Sequence, residues 1–242
     1  MLVNFIFFTF SLFIPFEPNA PSSTNENTEP VYLLHPGQFH GDEVVENAEK
    51  MEWYGLFVNE KGSYIEKTKI KSEAVFDVIL DTDSLVKSGK LITIKNNDQC
   101  ITLISGLKLK EGYVTSVKFE KYYLNPGESM EFNMHNTNYV LEASGIKSDT
   151  AFQEWRDMTD YKLIFRVKED ALKNQLLMSE SYLNGNIAGF IWIGDLDNDK
   201  KPDLIMNLSN HYNRGNTTLL LSDKSEKNDL VKKIAELNTT GC

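Results

Sequence analysis

Ile187-Ala188-Gly189-Phe190-Ile191-Trp192-Ile193-Gly194-Asp195-Leu196-Asp197-Asn198-Asp199-Lys200-Lys201-Pro202-Asp203-Leu204-Ile205-Met206 is the stretch that organises the chain. Ile187 to Ile193 is apolar, isoleucine-rich and aromatic, which is the composition of a buried strand. Asp203 to Leu208 carries Leu204, Ile205 and Met206 and is expected to form the returning strand. Between them stand four carboxylates, Asp195, Asp197, Asp199 and Asp203. Acids this close repel one another unless a cation lies among them. Calcium takes six to eight hard oxygen ligands at about 2.3–2.6 Å. Loop positions 1, 3, 5 and 9 are the four aspartates, and position 7 offers the backbone carbonyl of Lys201. Calcium is therefore the expected cofactor, with a solvated acidic turn as the plainer reading. Leu196, between the first two ligands, is expected to point away from them.

The loop is not an EF-hand, because position 12 is Met206 where that motif needs a bidentate Glu. The order strand, Asp-rich loop, strand resembles the FG-GAP/VCBS class of calcium-binding repeats of extracellular β-proteins. The resemblance covers residues 190–205 and occurs once. It implies a calcium loop whose role is structural, set in a β-protein. Lys200 stands where the pattern has glycine, a turn position that lysine adopts at a cost of about 1 kcal/mol. That departure implies weaker calcium binding.

The chain has 242 residues, 41% of them hydrophobic, which suffices for one large β domain or two small ones. A formal net charge of −10 argues against nucleic-acid binding and favours cationic partners, including metal ions. Leu2 to Phe16 is almost wholly apolar, too short to span a bilayer comfortably, and fits the core of a secretory signal peptide. No Lys or Arg precedes this run, and Ala20, the best cleavage position, is followed by Pro21. Residues 1–20 are accordingly expected to be a signal peptide, and residues 21–50 a linker and N-terminal segment. The mature chain is then secreted or periplasmic, with no stable membrane span.

Residues 51–148 read as a β-rich region and 149–242 as a second one that contains the acidic loop. Expected strands are Gly55–Val58, Tyr64–Ile70, Val75–Leu80, Leu91–Ile94, Ile101–Ile104, Tyr113–Phe119, Met130–Met134, Tyr139–Ala143, Tyr161–Val167, Gln175–Met178 and Thr217–Leu221. Pro126-Gly127 supplies a turn in which proline presets φ and glycine accepts a positive φ. Short helices are expected over Asp42–Trp53 and, capped by Thr150, over Asp149–Asp157. Leu230, Val231, Ile234 and Leu237 have helical spacing, but continuation in hairpins favours a strand there. The fold class is mainly β, an antiparallel sandwich or barrel-like arrangement with one or two short helices.

Other groups carry weaker signals. His35 and His40, with Pro36 and Gly37 between them, read as loop residues sooner than as metal ligands. Asp81-Thr82-Asp83 could join a site, but reads as a strand-ending turn. Tyr122 and Tyr123 offer a binding surface or half-buried strand positions. His211 is a possible functional imidazole near the acidic loop. Cys100 and Cys242, the two cysteines of an exported chain, suggest a disulfide. Gly-x-Ser-x-Gly, His-Glu-x-x-His, P-loop and Rossmann patterns are absent from the sequence. The expected function is a non-enzymatic, exported calcium-binding protein acting through a protein or glycan partner. The alternatives are a calcium-dependent hydrolase of polysaccharide or peptidoglycan, and a periplasmic inhibitor or immunity protein.

Overall fold

A computed structural model describes residues 29–83, 85–147, 157–222 and 229–241. The chain runs through β1 (Tyr32–Leu34), β2 (Gly37–Phe39), one 3-10 turn (Ala48–Lys50), β3 (Trp53–Asn59), β4 (Gly62–Thr68), β5 (Lys71–Val75), β6 (Gly89–Thr93), β7 (Gln99–Ser105) and β8 (Gly112–Tyr113). It continues through β9 (Ser129–Met134), β10 (Thr137–Lys147), β11 (Asp157–Val167), β12 (Asp170–Asn184), β13 (Gly189–Gly194), β14 (Asp203–Asn207), β15 (Arg214–Leu221) and β16 (Lys232–Thr240). Strands make up 57% of the molecule; its four sheets are antiparallel and none closes into a barrel. The orders are β1-β7-β3-β4-β8, β12-β11-β10-β9, β13-β14-β15-β16 and β2-β6-β5.

The sheet β13-β14-β15-β16 is the middle layer. Trp192, Ile205, Leu219 and Leu237 enter one core with Trp53, Leu56, Ile65 and Leu103 of the first sheet. Phe190, Ile193, Leu204, Met206 and Leu220 enter a second core with Leu141, Tyr161, Leu163 and Phe165 of the sheet β12-β11-β10-β9. A sheet covered on both faces needs apolar residues at consecutive positions, not at alternate ones. This is why Phe190–Ile193, Leu204–Met206 and Leu219–Leu221 read as continuous apolar runs. Leu204, Ile205 and Met206 are each fully buried, a contribution of about 1.5–3 kcal/mol apiece. Trp192 also ties two layers by a polar link, its Nε1–H donating to Ser63 Oγ at 3.0 Å.

The free edge of β13 is covered by the segment that follows β8. Val117 N–H donates to Ile193 O, Asp195 N–H to Thr115 O, and Phe190 N–H to Tyr122 O. Of the expected strand Tyr113–Phe119, only Tyr113, in β8, and an isolated bridge from Ser116 to Gly194 remain. Gly194 allows this close approach. A Cβ there would lie 2.5 Å from Thr115 O and 2.2 Å from the Trp192 ring.

Most of the remaining strands fall where the alternation places them. The turn at Pro126-Gly127 has φ 87 at Gly127. Lys232–Thr240 is a strand, paired with β15 from Arg214–Thr240 to Leu221–Lys232. Strand β10 pairs with β11 across residues 148–156. Three expectations are corrected. Val75–Leu80 is not one strand: β5 ends at Val75, and residues 78–80 form a turn. Asp42–Trp53 contains only the 3-10 turn, where Asn47 takes a left-handed φ of 55 and Trp53 Nε1–H caps Ala48 O at 2.7 Å. Tyr122 and Tyr123 are exposed and not half-buried. The signal peptide over residues 1–20 lies outside the described residues, as does the helix expected over Asp149–Asp157 except for Asp157, which begins β11. Among the described residues no helix is long and apolar enough to cross a membrane.

Candidate metal centre

The acidic loop closes the β13–β14 hairpin. Gly194 pairs with Asp203 at its base, and Ile193 with Leu204 and Trp192 with Ile205 beneath. Asp195 follows the end of β13, and Asp203 is the first residue of β14. Between them Asn198 and Lys200 take left-handed φ values of 63 and 70. Lys200 thus adopts the turn geometry that its position requires, although only glycine reaches it without strain. Leu196 is fully buried in the first core, so the side chain between the first two carboxylates points inward.

Each aspartate also organises the backbone. Asp203 is 0% exposed; its Oδ2 accepts Leu196 N–H at 2.7 Å and its Oδ1 accepts Ser222 N–H at 2.8 Å. Asp195 is 4% exposed, and its Oδ2 accepts Lys200 N–H at 3.1 Å. Asp197 Oδ1 accepts Asp199 N–H at 3.0 Å, and Asp199 Oδ1 accepts Lys201 N–H at 2.8 Å. These bonds curl the loop and bring Asp195, Asp197 and Asp203 together. One carboxylate oxygen from each lies within 4.8 Å of the others.

Of the residues named as ligands from the sequence, Asp195, Asp197 and Asp203 are the ones that converge. Asp199 stands outside that group of three, although its Oδ2 is buried and has no hydrogen-bond partner. Lys201 is half-buried and bonds to the loop through its N–H. The group gains a neighbour that the sequence reading passed over. His135, at the tip of the β9–β10 hairpin, places Nε2 3.3 Å from Asp195 Oδ2. Its left-handed φ of 46, followed by 67 at Asn136, is the geometry of a two-residue hairpin turn. The turn could be placed from the flanking strands, but nothing local shows that the two hairpins meet.

The electrostatics follow from burial. Desolvation pushes the Asp203 carboxyl up to about 7; the charges of Asp197 and Asp199 add to this, against the N–H donors of Ser222 and Leu196. Asp195 Oδ1 is buried and accepts no hydrogen bond. A buried carboxylate oxygen without a partner costs about 1–3 kcal/mol or more. A hard divalent cation would satisfy it, because carboxylate oxygens are preferred donors of such ions.

His211 does not belong to this centre. Its Nδ1 accepts Asn213 N–H at 3.3 Å, its ring stacks on Tyr212 at 4.6 Å, and its backbone bridges to Asn184. Asp81 and Asp83 also stand apart and brace turns through Ser88 and Leu85 N–H. His35 packs on Phe39, whereas His40 binds Asp77. No disulfide is present among the described residues. Cys100 is a half-buried thiol, and Cys242 lies outside the described residues. No protein-family model matches the chain, no curated protein matches its sequence, and no solved structure matches its fold.

Proposed function

We propose that this chain is a calcium-binding β-protein of the export route, non-enzymatic, in which the cation stiffens the β13–β14 hairpin. Asp195, Asp197 and Asp203 hold the ion, with Asp199 and the Lys201 carbonyl completing the oxygen set. The observation that carries this reading is the unpartnered Asp195 Oδ1, buried beside two further carboxylates. The spacing of the loop and its resemblance to FG-GAP/VCBS repeats favour calcium over other hard cations. The apolar run Leu2–Phe16 favours a secreted or periplasmic location.

The role is structural because the centre joins layers. Asp203 links β14 to the end of β15 through Ser222, and Asp195 meets the β9–β10 hairpin through His135. Fixing these elements presents a rigid outer surface to a protein or glycan partner. The test is thermal unfolding of the full chain in EDTA and in millimolar calcium. A ligand that binds only the folded state at about 100 times its Kd adds about 2.7 kcal/mol, or roughly 5–10 °C for a chain this long. Coincident melting curves in the two conditions contradict the proposal.

A further inference from the structure

A cavity of about 340 Å³ lies between the sheet β2-β6-β5 and the end of β16, and shares no residue with the acidic loop. Phe39, Val78 and Ile79 form its apolar wall, and His40, Glu43 and Asp77 its polar one. Convergent polar groups in an apolar pocket of this size mark binding sites.

The polar wall is built from the backbone outward. Asp77 is 2% exposed; its Oδ1 accepts Ile79 and Leu80 N–H at 3.0 and 3.2 Å. Its Oδ2 meets His40 Nδ1 at 2.5 Å. The hydrogen bond from His40 holds the Asp77 carboxyl below the usual carboxylate range, so it stays ionised. An ionised carboxylate only accepts, so His40 Nδ1 is the N–H donor. Nε2 is left as the ring's remaining polar edge. Glu43 is fixed as well: Oε2 accepts His40 N–H at 3.0 Å, and Oε1 accepts Thr240 N–H at 2.5 Å. His40 offsets Asp77, no Lys or Arg lines the cavity, and the Glu43 carboxylate leaves its wall acidic.

The loop at the mouth has its polar groups turned inward and its apolar groups outward. Asp81 Oδ2 takes the N–H groups of Asp77 and Ser88 at 2.8 and 3.0 Å. Meanwhile Val78 is 71% and Ile79 55% exposed. Six of the fourteen large exposed hydrophobic residues of the described chain fall within residues 76–86. Apolar surface concentrated in this way marks an interaction site.

We propose that this cavity binds a small molecule with an apolar body and a primary ammonium head. The body lies against Phe39, Val78 and Ile79, and the head donates to the Glu43 carboxylate at the polar wall. Two carboxylates, Asp77 and Glu43, outweigh the His40 imidazole that is already paired with Asp77, and this acidic balance selects the cation over an anion of the same shape. This site is independent of the cation centre, so binding persists in EDTA.

The test uses three probes that share a phenyl ring: benzylamine, benzyl alcohol and phenylacetate. Each is titrated into the full chain while the Val78 and Ile79 methyl and His40 ring resonances are followed by NMR. Benzylamine is expected to shift them saturably, benzyl alcohol about tenfold more weakly, and phenylacetate not at all. In the double variant Val78→Ser/Ile79→Ser, read at the His40 ring, benzylamine is expected to bind roughly tenfold more weakly. Both side chains are largely exposed, so the fold does not depend on them. Phenylacetate binding as tightly as benzylamine, no saturable shift with benzylamine, or an affinity unchanged in the double variant overturns the proposal.

Discussion

Leu196 N–H donates to Asp203 Oδ2 at 2.7 Å, so the last carboxylate of the acidic loop holds the residue next to the first. The loop is closed by its own prospective ligand. Asp203 therefore has two separable duties, as acceptor for the backbone and as one of three converging acids.

Asp203→Ala removes the acceptor from two buried N–H groups, those of Leu196 and Ser222. Each unsatisfied donor costs about 1–3 kcal/mol, so a loss of roughly 2–6 kcal/mol is expected. Urea unfolding in EDTA measures it free of any cation effect. A midpoint equal to that of the wild type would show that the backbone role is wrong.

Asp197→Ala separates the other duty. Asp197 is exposed, and its removal relieves repulsion on Asp203, whose carboxyl its charge pushes upward. The melting temperature in EDTA is expected to stay near the wild-type value, while the calcium-induced rise shrinks. A full calcium response in this variant would remove Asp197 from the ligand set.

Gly194→Ala tests the packing beneath the centre. The added Cβ would meet the Trp192 ring at 2.2 Å and Thr115 O at 2.5 Å, and neither yields cheaply. Overpacking of this kind costs about 1–3 kcal/mol. The same chemical denaturation reads it, and a neutral result would mean that the 115–123 segment does not hug β13.

The pH dependence of the 76–88 loop follows from His40 and Asp77. The bond to Asp77 raises the His40 value above 6.5, against desolvation, and the bond to His40 lowers Asp77 below 3.8. The His40 contribution is fully present below 6.5 and is lost as pH rises through its raised value. The Asp77 contribution is present above 3.8 and is lost as pH falls through its lowered value. Hydrogen-exchange protection of Ile79 and Leu80 amides, corrected for intrinsic rates, should be greatest between these limits. His40→Asn should abolish the alkaline decline, and a decline that survives this substitution would assign it elsewhere.

Much of the middle layer was legible in the residues themselves. The runs at Phe190–Ile193 and Leu204–Met206 announce buried strands, and the aspartates between them announce the loop. Position 6 was legible too, since Lys200 does take a left-handed φ. The loop 76–86 was not, because Val78-Ile79-Leu80 has the composition of a strand. Its direction is set by Asp77 and Asp81 accepting backbone N–H groups, which turns the apolar side chains outward. The departure of Asp199 from the group and the approach of His135 depend on tertiary contacts that local spacing does not encode. Segment 114–123 meets the edge of β13 only through isolated bonds, a tertiary contact that local spacing does not encode.

Calcium titrated calorimetrically into EDTA-dialysed protein, wild type and Asp195→Asn side by side, tests the central claim most directly. The account predicts one saturable event in the wild type and binding at least about tenfold weaker in Asp195→Asn, a loss of roughly 1.4 kcal/mol or more. No saturable heat in the wild type, or the same affinity in both proteins, would contradict it.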